Sequence, residues 1–153
     1  MGVTVLEALL TEHRLLLLDS MVFSYHLSDH RLYAPLTSAI LAAIESGQVA
    51  GLTTTVTLAE VLTLPAQAND LRALQDYELF LTSFPNMRLA PLDVDLARET
   101  ALVRGATGLR TPDAIQVAAA RLYGADAIIT NDHRWAGRVT APAVFLLDSL
   151  LDK

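Results

Sequence analysis

Residues 111–132 read TPDAIQVAAARLYGADAIITND, a stretch that predicts a helix, a turn and a strand in succession. Its opening is a strong helix start, because Thr111 can cap the helix, Pro112 suits the first position and Asp113 meets the positive helix end. The small and apolar residues that follow continue the helix, and Gly124 ends it. The apolar run after this turn predicts a short strand.

The same alternation of helix and strand extends along the chain on both sides of this unit. Residues 15–18 are four leucines bounded by polar residues, which suits a strand buried on both faces. Further strands are predicted at residues 49–55, 87–92, 127–130 and 144–147, and further helices at 35–47, 58–64, 69–84 and 93–107. Pro65 is predicted to break the helical pattern. This alternation predicts a three-layer α/β/α domain with a mostly parallel central sheet of about five strands.

The size and composition suit a single domain over residues 1–153. Hydrophobic residues make up 52% of the chain and charged residues 18%, which allows a sizeable core. The sequence has no cysteine, which excludes disulfide scaffolds, Cys-ligated metals and thiol nucleophiles. The amphipathic leader within residues 1–13 is predicted to form an extra helix on the domain; a dimer element or a mis-assigned start are the alternatives. Neither a secretory signal nor a membrane span is evident, so we expect a cytoplasmic protein.

Two carboxylates follow predicted strands at their carboxyl ends, where open parallel sheets bind ligands. Asp19 follows the first strand and Asp132 follows the fourth. Glu60 lies in an apolar helical segment, and Asp113 opens the helix that leads into the fourth strand. Each acid alone can equally serve as a turn former, a helix cap or a solvent-facing side chain.

If these four acids converge, their charges repel unless cations bind or some carboxylates are protonated. Mg²⁺ and Mn²⁺ prefer carboxylate and water oxygens, and no cysteine is present to favour softer metals. A carboxylate-rich metal site with room for a substrate indicates phosphate chemistry, in which the metal activates water and neutralises the developing charge.

Four segments resemble the PIN domain family, of the VapC-type ribonuclease class. They read LLDS at 17–20, TLAEVL at 57–62, LRTPDAIQ at 109–116 and ITND at 129–132, and the third is the most specific. The resemblance extends from about Arg14 to Leu147, with the acids in the order Asp, Glu, Asp, Asp. It implies a site for one or two Mg²⁺ or Mn²⁺ ions that hydrolyses RNA phosphodiester bonds and leaves 5′-phosphate and 3′-hydroxyl ends. The site residues that it implies are Asp19, Glu60, Asp113 and Asp132.

The resemblance also implies partners and supporting residues. It implies a homodimer in which helices such as 35–47 and 69–84 pair the subunits. It also implies that the protein is the toxin of a type II toxin–antitoxin pair. The cognate antitoxin would insert a basic or aromatic residue into the acidic site. Thr130 and Asn131 would support the metal site, although a simple turn also explains them.

The net charge of −6 means that RNA must be held locally, by the metal ions and by arginines near the site. Arg110, Arg134 and Arg138 are the candidates for phosphate contact by their proximity in sequence. An exposed arginine can also be no more than solvated surface.

Two other functions remain open. A catalytically silent PIN-like domain would act as a binding module. Alternatively, Asp93-Val94-Asp95 resembles the Asp-x-Asp of haloacid-dehalogenase-type phosphatases, although Asp93 can simply cap the following helix and Lys153 is the only lysine. His26 and His30 have the spacing of a zinc pair on a helix, but a solvated helix end explains them better.

Overall fold

The computed structural model describes residues 4–151. Its strands are β1 (Leu15–Leu18), β2 (Ala50–Thr54), β3 (Met87–Ala90), β4 (Ala127–Thr130) and β5 (Ala143–Leu146). Its helices are α1 (Val5–Glu12), α2 (Ser20–Leu27), α3 (Ala34–Glu45), α4 (Thr55–Gln67), α5 (Leu71–Ser83), α6 (Val94–Thr107), α7 (Thr111–Tyr123) and α8 (Leu147–Leu150). A 3₁₀ turn spans His133–Trp135.

The five strands form one sheet in the order β3-β2-β1-β4-β5, and every neighbouring pair is parallel. The predicted α/β fold is confirmed. β1 is the central strand, with Leu17 opposite Leu52 of β2 and Ile128 of β4. Because successive side chains of a strand point to opposite faces, the leucines of β1 supply both sides of the sheet. This explains why a continuous apolar run suits this position.

Two hydrophobic cores lie on the two faces of the sheet. One contains Leu16 and Leu18 of β1 with side chains from α1, α2 and α3. The other contains Leu17 together with α6, α7 and the fully buried Trp135. All seven residues of α7 from Ala114 to Ala120 are buried, because this helix packs between the sheet and α6. The carboxyl edge of the sheet lies between these layers and carries the acidic residues.

The leader forms helix α1, which begins with a capping box made by Thr4 and Glu7. Leu9 and Leu10 of this helix are buried in the first core. Residues 1–3 of the leader lie outside the described part. Across residues 4–151, every helix is too short or too polar to cross a bilayer.

The helix break predicted at Pro65 is wrong. α4 continues to Gln67 with Pro65 inside it. Pro65 lies in the last turn, where the missing N–H removes a single bond near the helix end rather than interrupting a long ladder. Its ring is buried, and its carbonyl accepts the backbone N–H of Asp70 at 2.9 Å.

The start of α7 also differs slightly from the prediction. Arg110 occupies the N-cap position and Thr111 is already helical, so no side chain caps this helix. The predicted end is correct: Gly124 closes the helix with φ of 78°, a left-handed conformation that glycine adopts without strain. α8 and the 3₁₀ turn were not predicted, and α2 was predicted only as the helix end that explained His26 and His30.

Candidate functional site

The site is built at the carboxyl ends of β1 and β4, which are neighbours in the sheet. Asp19 follows β1 directly, and its backbone N–H donates to the Ile129 carbonyl at 3.0 Å. Thr130 ends β4 and is completely buried. The Thr130 hydroxyl donates to Asp19 Oδ2 at 2.7 Å and accepts the backbone N–H of Asp132 at 3.1 Å. Thr130 therefore connects the two acids that follow these strands.

Asp19 is a buried carboxyl with an altered acidity. Burial raises its pKa from the usual 3.8 to about 6. The hydrogen bonds donated by Thr130 and by the backbone N–H of Ser20 lower the pKa, while the nearby charges of Glu60 and Asp113 raise it. The charges of two of the other predicted acids therefore act on Asp19.

Asp113 lies in the first turn of α7, half-buried and beside Arg110. Burial raises the pKa of Asp113, and the charge of Asp132 adds to this rise. The Arg110 Nε atom lies 3.5 Å from Asp113 Oδ2 and opposes the shift. Asp113 and Asp132 are therefore close enough to repel each other.

Asp132 is a buried carboxylate paired with an exposed guanidinium. Arg134 Nε lies 2.9 Å from Oδ1, and Arg134 Nη2 lies 2.5 Å from Oδ2. The backbone N–H of Arg134 also donates to Oδ1 at 3.0 Å. These contacts hold the pKa of Asp132 below its usual range.

Glu60 is exposed on α4, at one end of an apolar groove of about 240 Å³ between α2, α4 and α5. Val61, Leu64 and Pro65 of α4 line this groove, with Tyr77 of α5 on the other side. The sequence alone did not reveal this groove, because it depends on how three separate helices pack against one another.

The three predicted arginines lie together. Arg110, Arg134 and Arg138 line one small cavity of about 40 Å³ that also includes Asp113. Their proximity in space follows from the meeting of the amino end of α7 with the 3₁₀ turn. Arg110 and Arg134 each face a carboxylate within this region.

Asn131 and His133 make structural contacts beside the site. The Asn131 side-chain oxygen accepts the backbone N–H of Asp148, at the start of α8, at 3.0 Å. His133 Nε2 lies 2.7 Å from Asp148 Oδ2, and Tyr33 donates its hydroxyl to the other oxygen of Asp148. Asp148 thus joins the loop after β4 to the start of α3, a contact that the sequence did not predict.

A buried polar cluster lies behind the acids. Gln116 of α7 donates to the Thr57 hydroxyl at 2.6 Å and accepts from the Thr54 hydroxyl at 3.2 Å. The Thr53 hydroxyl lies 2.8 Å from the Thr57 oxygen. The sequence analysis missed this cluster, and the signal that could have found it is a glutamine within an otherwise apolar helix face, which needs a buried partner.

Two discounted motifs have structural roles. The Asp93 side chain accepts the backbone N–H of Leu96 at 2.9 Å and caps α6, as the capping interpretation predicted. His26 lies in α2, but this helix ends at Leu27 and His30 lies beyond it. His30 instead accepts the backbone N–H groups of Leu32 and Tyr33.

The donor set suits a hard divalent cation in its chemistry, because it consists of carboxylate and hydroxyl oxygens without any thiolate. The structure brings the acids to one edge of the sheet, but it does not arrange them around a single point. Within residues 4–151, no three His, Asp or Glu side chains are close enough to surround one ion. Asp132 faces Arg134 in this conformation.

Comparison with known proteins agrees with this fold. A toxin–antitoxin complex from Klebsiella pneumoniae has a TM-score of 0.64 and 21% identity, over 88% of this chain and 97% of that one. VapBC2 from Rickettsia felis, bound to a DNA fragment from its promoter, has a TM-score of 0.68 and 12% identity, over 86% and 98%. VapC20 from Mycobacterium tuberculosis, a toxin that cleaves the sarcin-ricin loop, has a TM-score of 0.61 and 20% identity, over 82% and 96%.

At identities of 12–21%, these structural similarities show a shared fold. A search of curated proteins finds no match. The family model of the PIN domain, however, matches residues 16–139, which include all four predicted acids. This match confirms the resemblance seen in the four sequence segments: the chain belongs to the PIN domain family.

Proposed function

We propose that this protein is a metal-dependent endoribonuclease that hydrolyses RNA phosphodiester bonds as the toxin of a type II toxin–antitoxin pair. The observation that carries the proposal is Asp19, a buried carboxyl held by Thr130 in the field of Glu60 and Asp113. Perturbed acids at the carboxyl edge of a parallel sheet are typical of functional sites. Membership of the PIN family and the toxins among the structural neighbours support the same proposal.

Asp19, Glu60, Asp113 and Asp132 are the residues that would hold one or two Mg²⁺ or Mn²⁺ ions. When bound, such ions supply activation of water and neutralisation of charge at the phosphate. Thr130 orients Asp19 by donating to one of its oxygens, which leaves the remaining lone pairs for a ligand. Asn131 acts indirectly, by fixing the loop after β4 to α8.

The arginines beside the site supply the attraction for RNA. Of the net charge of −6, four negative charges belong to the site acids, so bound cations would remove most of the repulsion toward phosphate. Arg110, Arg134 and Arg138 surround one cavity next to Asp113 and are suited to contact phosphate oxygens.

The partners that we propose are a second copy of the chain and a cognate antitoxin. The groove between α2, α4 and α5 has a mainly apolar lining that also includes the acids Glu60 and Asp70. A helical antitoxin segment with an apolar face and a basic residue matches that combination. Co-expression with the product of an adjacent antitoxin-like reading frame should yield a complex without ribonuclease activity. The substitution Leu64→Arg in the groove should weaken the binding of the antitoxin.

The test of the enzyme uses the full-length protein with a mixed pool of single-stranded RNA. We expect cleavage in Mg²⁺ or Mn²⁺, none in excess chelator, and a loss of at least about 100-fold for Asp19→Asn. Asp95→Asn is the matched control, because Asp95 is exposed on α6 and pairs with Arg98 instead. Cleavage that persists in chelator or in Asp19→Asn would refute the proposal.

A binding module is the second candidate. The pairing of Asp132 with Arg134 favours it, because a silent domain would keep such a neutralised acid permanently. In that case the protein would bind RNA or a protein partner and leave RNA intact in both metals. Phosphatase activity is not supported, since Asp93 caps α6.

A further inference from the structure

Arg134 and Asp132 form the tightest charge pair at the site. Each carboxylate oxygen of Asp132 lies within 2.9 Å of a guanidinium nitrogen, and Oδ1 also receives the backbone N–H of Arg134. This is the bidentate geometry in which arginine binds carboxylates most strongly. The pair is local in sequence, because the 3₁₀ turn places residue 134 directly over the carboxylate of residue 132.

The two partners of this pair differ in their freedom to move. The Asp132 side chain is 10% exposed and the Arg134 side chain is 58% exposed. The carboxylate is therefore fixed by its surroundings, while the guanidinium has solvent into which it can rotate once the pair is broken. The neighbouring pair of Arg110 and Asp113 is looser, with a separation of 3.5 Å.

Both oxygens of Asp132 are thus occupied by a cation that belongs to the chain. Any other cation that uses Asp132 must replace this guanidinium, because two positive groups cannot share the same carboxylate face without strong repulsion. Arg98 provides a comparison, since it is similarly exposed but pairs with Asp95 on α6, which is not one of the site acids.

We propose that Arg134 is an internal counter-cation that competes with the divalent ion for Asp132, so that ion binding releases the guanidinium from the site. This inference rests on the metal site of the proposed function and adds its regulation. Metal affinity is set by the competition, and the arginine becomes available to substrate phosphate only after the ion is bound.

The test measures Mn²⁺ affinity by isothermal titration calorimetry of the full-length protein, without RNA. Arg134→Gln removes the competitor, and we expect it to bind Mn²⁺ at least about fivefold more tightly than wild type. Arg134→Lys keeps the charge without the bidentate geometry and should lie between the two. Arg98→Gln removes the same charge from the pair with Asp95 and should remain within about twofold of wild type.

A double variant shows whether the effect passes through Asp132. In the background of Asp132→Asn, adding Arg134→Gln should change Mn²⁺ affinity by less than about twofold, because the competed ligand is already lost. Circular dichroism checks that each variant is folded, and the lysine variant serves if the glutamine variant is not.

The outcomes separate this inference from the proposed function. Equal Mn²⁺ affinity in wild type, Arg134→Gln and Arg98→Gln would overturn the competition but leave the metal site intact. A tighter Arg98→Gln would assign the effect to net charge and also overturn it. Failure of all the folded proteins to bind Mn²⁺ or Mg²⁺ would overturn both this inference and the metal-dependent enzyme.

Discussion

Asp19 is a carboxyl whose ionisation is disfavoured by the fold. Its burial raises its pKa to about 6, while the hydroxyl of Thr130 stabilises the charged form and limits the rise. The folded state therefore binds a proton more tightly than the unfolded state does, whose value is near 3.8. As a consequence, ionised Asp19 costs stability at neutral pH, and this cost is absent at acidic pH.

The first prediction follows from this sign. Asp19→Asn should be more stable than wild type at pH 7 in chelator, and the difference should disappear as the pH falls below about 4. Between pH 7 and pH 4, the stability of the variant relative to wild type should change by about 2 kcal/mol, because the neutral amide avoids the ionisation that burial opposes. Urea unfolding of both proteins at several pH values measures it. A difference that does not change with pH would show that Asp19 is ordinary in acidity.

The second prediction concerns Asp113→Asn. Burial and Asp132 raise the pKa of Asp113, so the amide should stabilise the metal-free protein at pH 7 by about 1 kcal/mol. In wild type, metal at about 100 times its dissociation constant should add roughly 2.7 kcal/mol, and the variant should gain much less. Thermal melts with and without Mn²⁺ measure both effects. A variant that melts lower without metal yet gains as much from it would make Asp113 a structural cap.

The sequence predicts part of this residue-scale arrangement. The predicted strands place Asp19 and Thr130 at the carboxyl edge of the sheet, but their contact depends on the pairing of β1 with β4, which the order of the elements along the chain does not give. The contact between Asp132 and Arg134 could not be predicted, since it depends on the rotamer of a long exposed side chain in a 3₁₀ turn. The role of Asn131 also depends on α8, an element absent from the sequence prediction.

Among the elements, α4 and α7 are joined by hydrogen bonds rather than by apolar contact alone. Gln116 links Thr57 of α4 to Thr54 at the end of β2, within a fully buried region. A buried amide of this kind is stabilising only when its partners are in place. The cluster therefore fixes the amino end of α7, which carries Asp113, relative to the sheet.

The third prediction tests this cluster. Gln116→Leu should destabilise the protein by about 1 to 3 kcal/mol, because two buried hydroxyl groups lose a partner. Adding Thr57→Val should cost less than the sum of the single changes, since the second substitution removes one of the orphaned groups. Chemical denaturation of the single and double variants measures the coupling. Strict additivity would show that the cluster is not a unit.

Pro65 shows why the elements were only partly predictable. The rule that proline breaks a helix applies to helix interiors, whereas Pro65 lies in the last turn of α4, which ends two residues later at Gln67. Elements with strong local signals, such as β1, β4 and α7, were predicted closely. The short elements α2 and α8 carry weak periodicity, and their conformation depends on packing against the first core.

At the scale of the whole molecule, the described surface exposes leucines unevenly. α3 uses its apolar face in the core and contributes none of the strongly exposed large apolar side chains in residues 4–151. Of the two helices predicted to pair the subunits, we therefore expect α5 rather than α3 to form the contact. α5 exposes 70% of Leu71 and 65% of Leu79.

The fourth prediction is a homodimer that uses α5. Light scattering at high micromolar concentration should report twice the monomer mass. Leu79→Arg should lower the measured mass to that of the monomer, because a buried charge at an apolar contact is costly. Leu102→Arg on α6 is the control, since Leu102 is 64% exposed and lies on a different helix. A monomer mass for the wild-type protein would contradict the predicted dimer. An equal effect of both substitutions on the mass would contradict the placement of the contact on α5.

Trp135, described above as part of the second core, has an optical consequence. It is the only tryptophan in the chain, it is fully buried, and it directly follows Arg134. The tryptophan fluorescence of the unlabelled protein therefore comes from one indole, three residues after Asp132. Its emission should be blue-shifted in the folded protein and should change when the 3₁₀ turn rearranges around an incoming cation. Tryptophan fluorescence of the native chain should therefore report cation binding at Asp132.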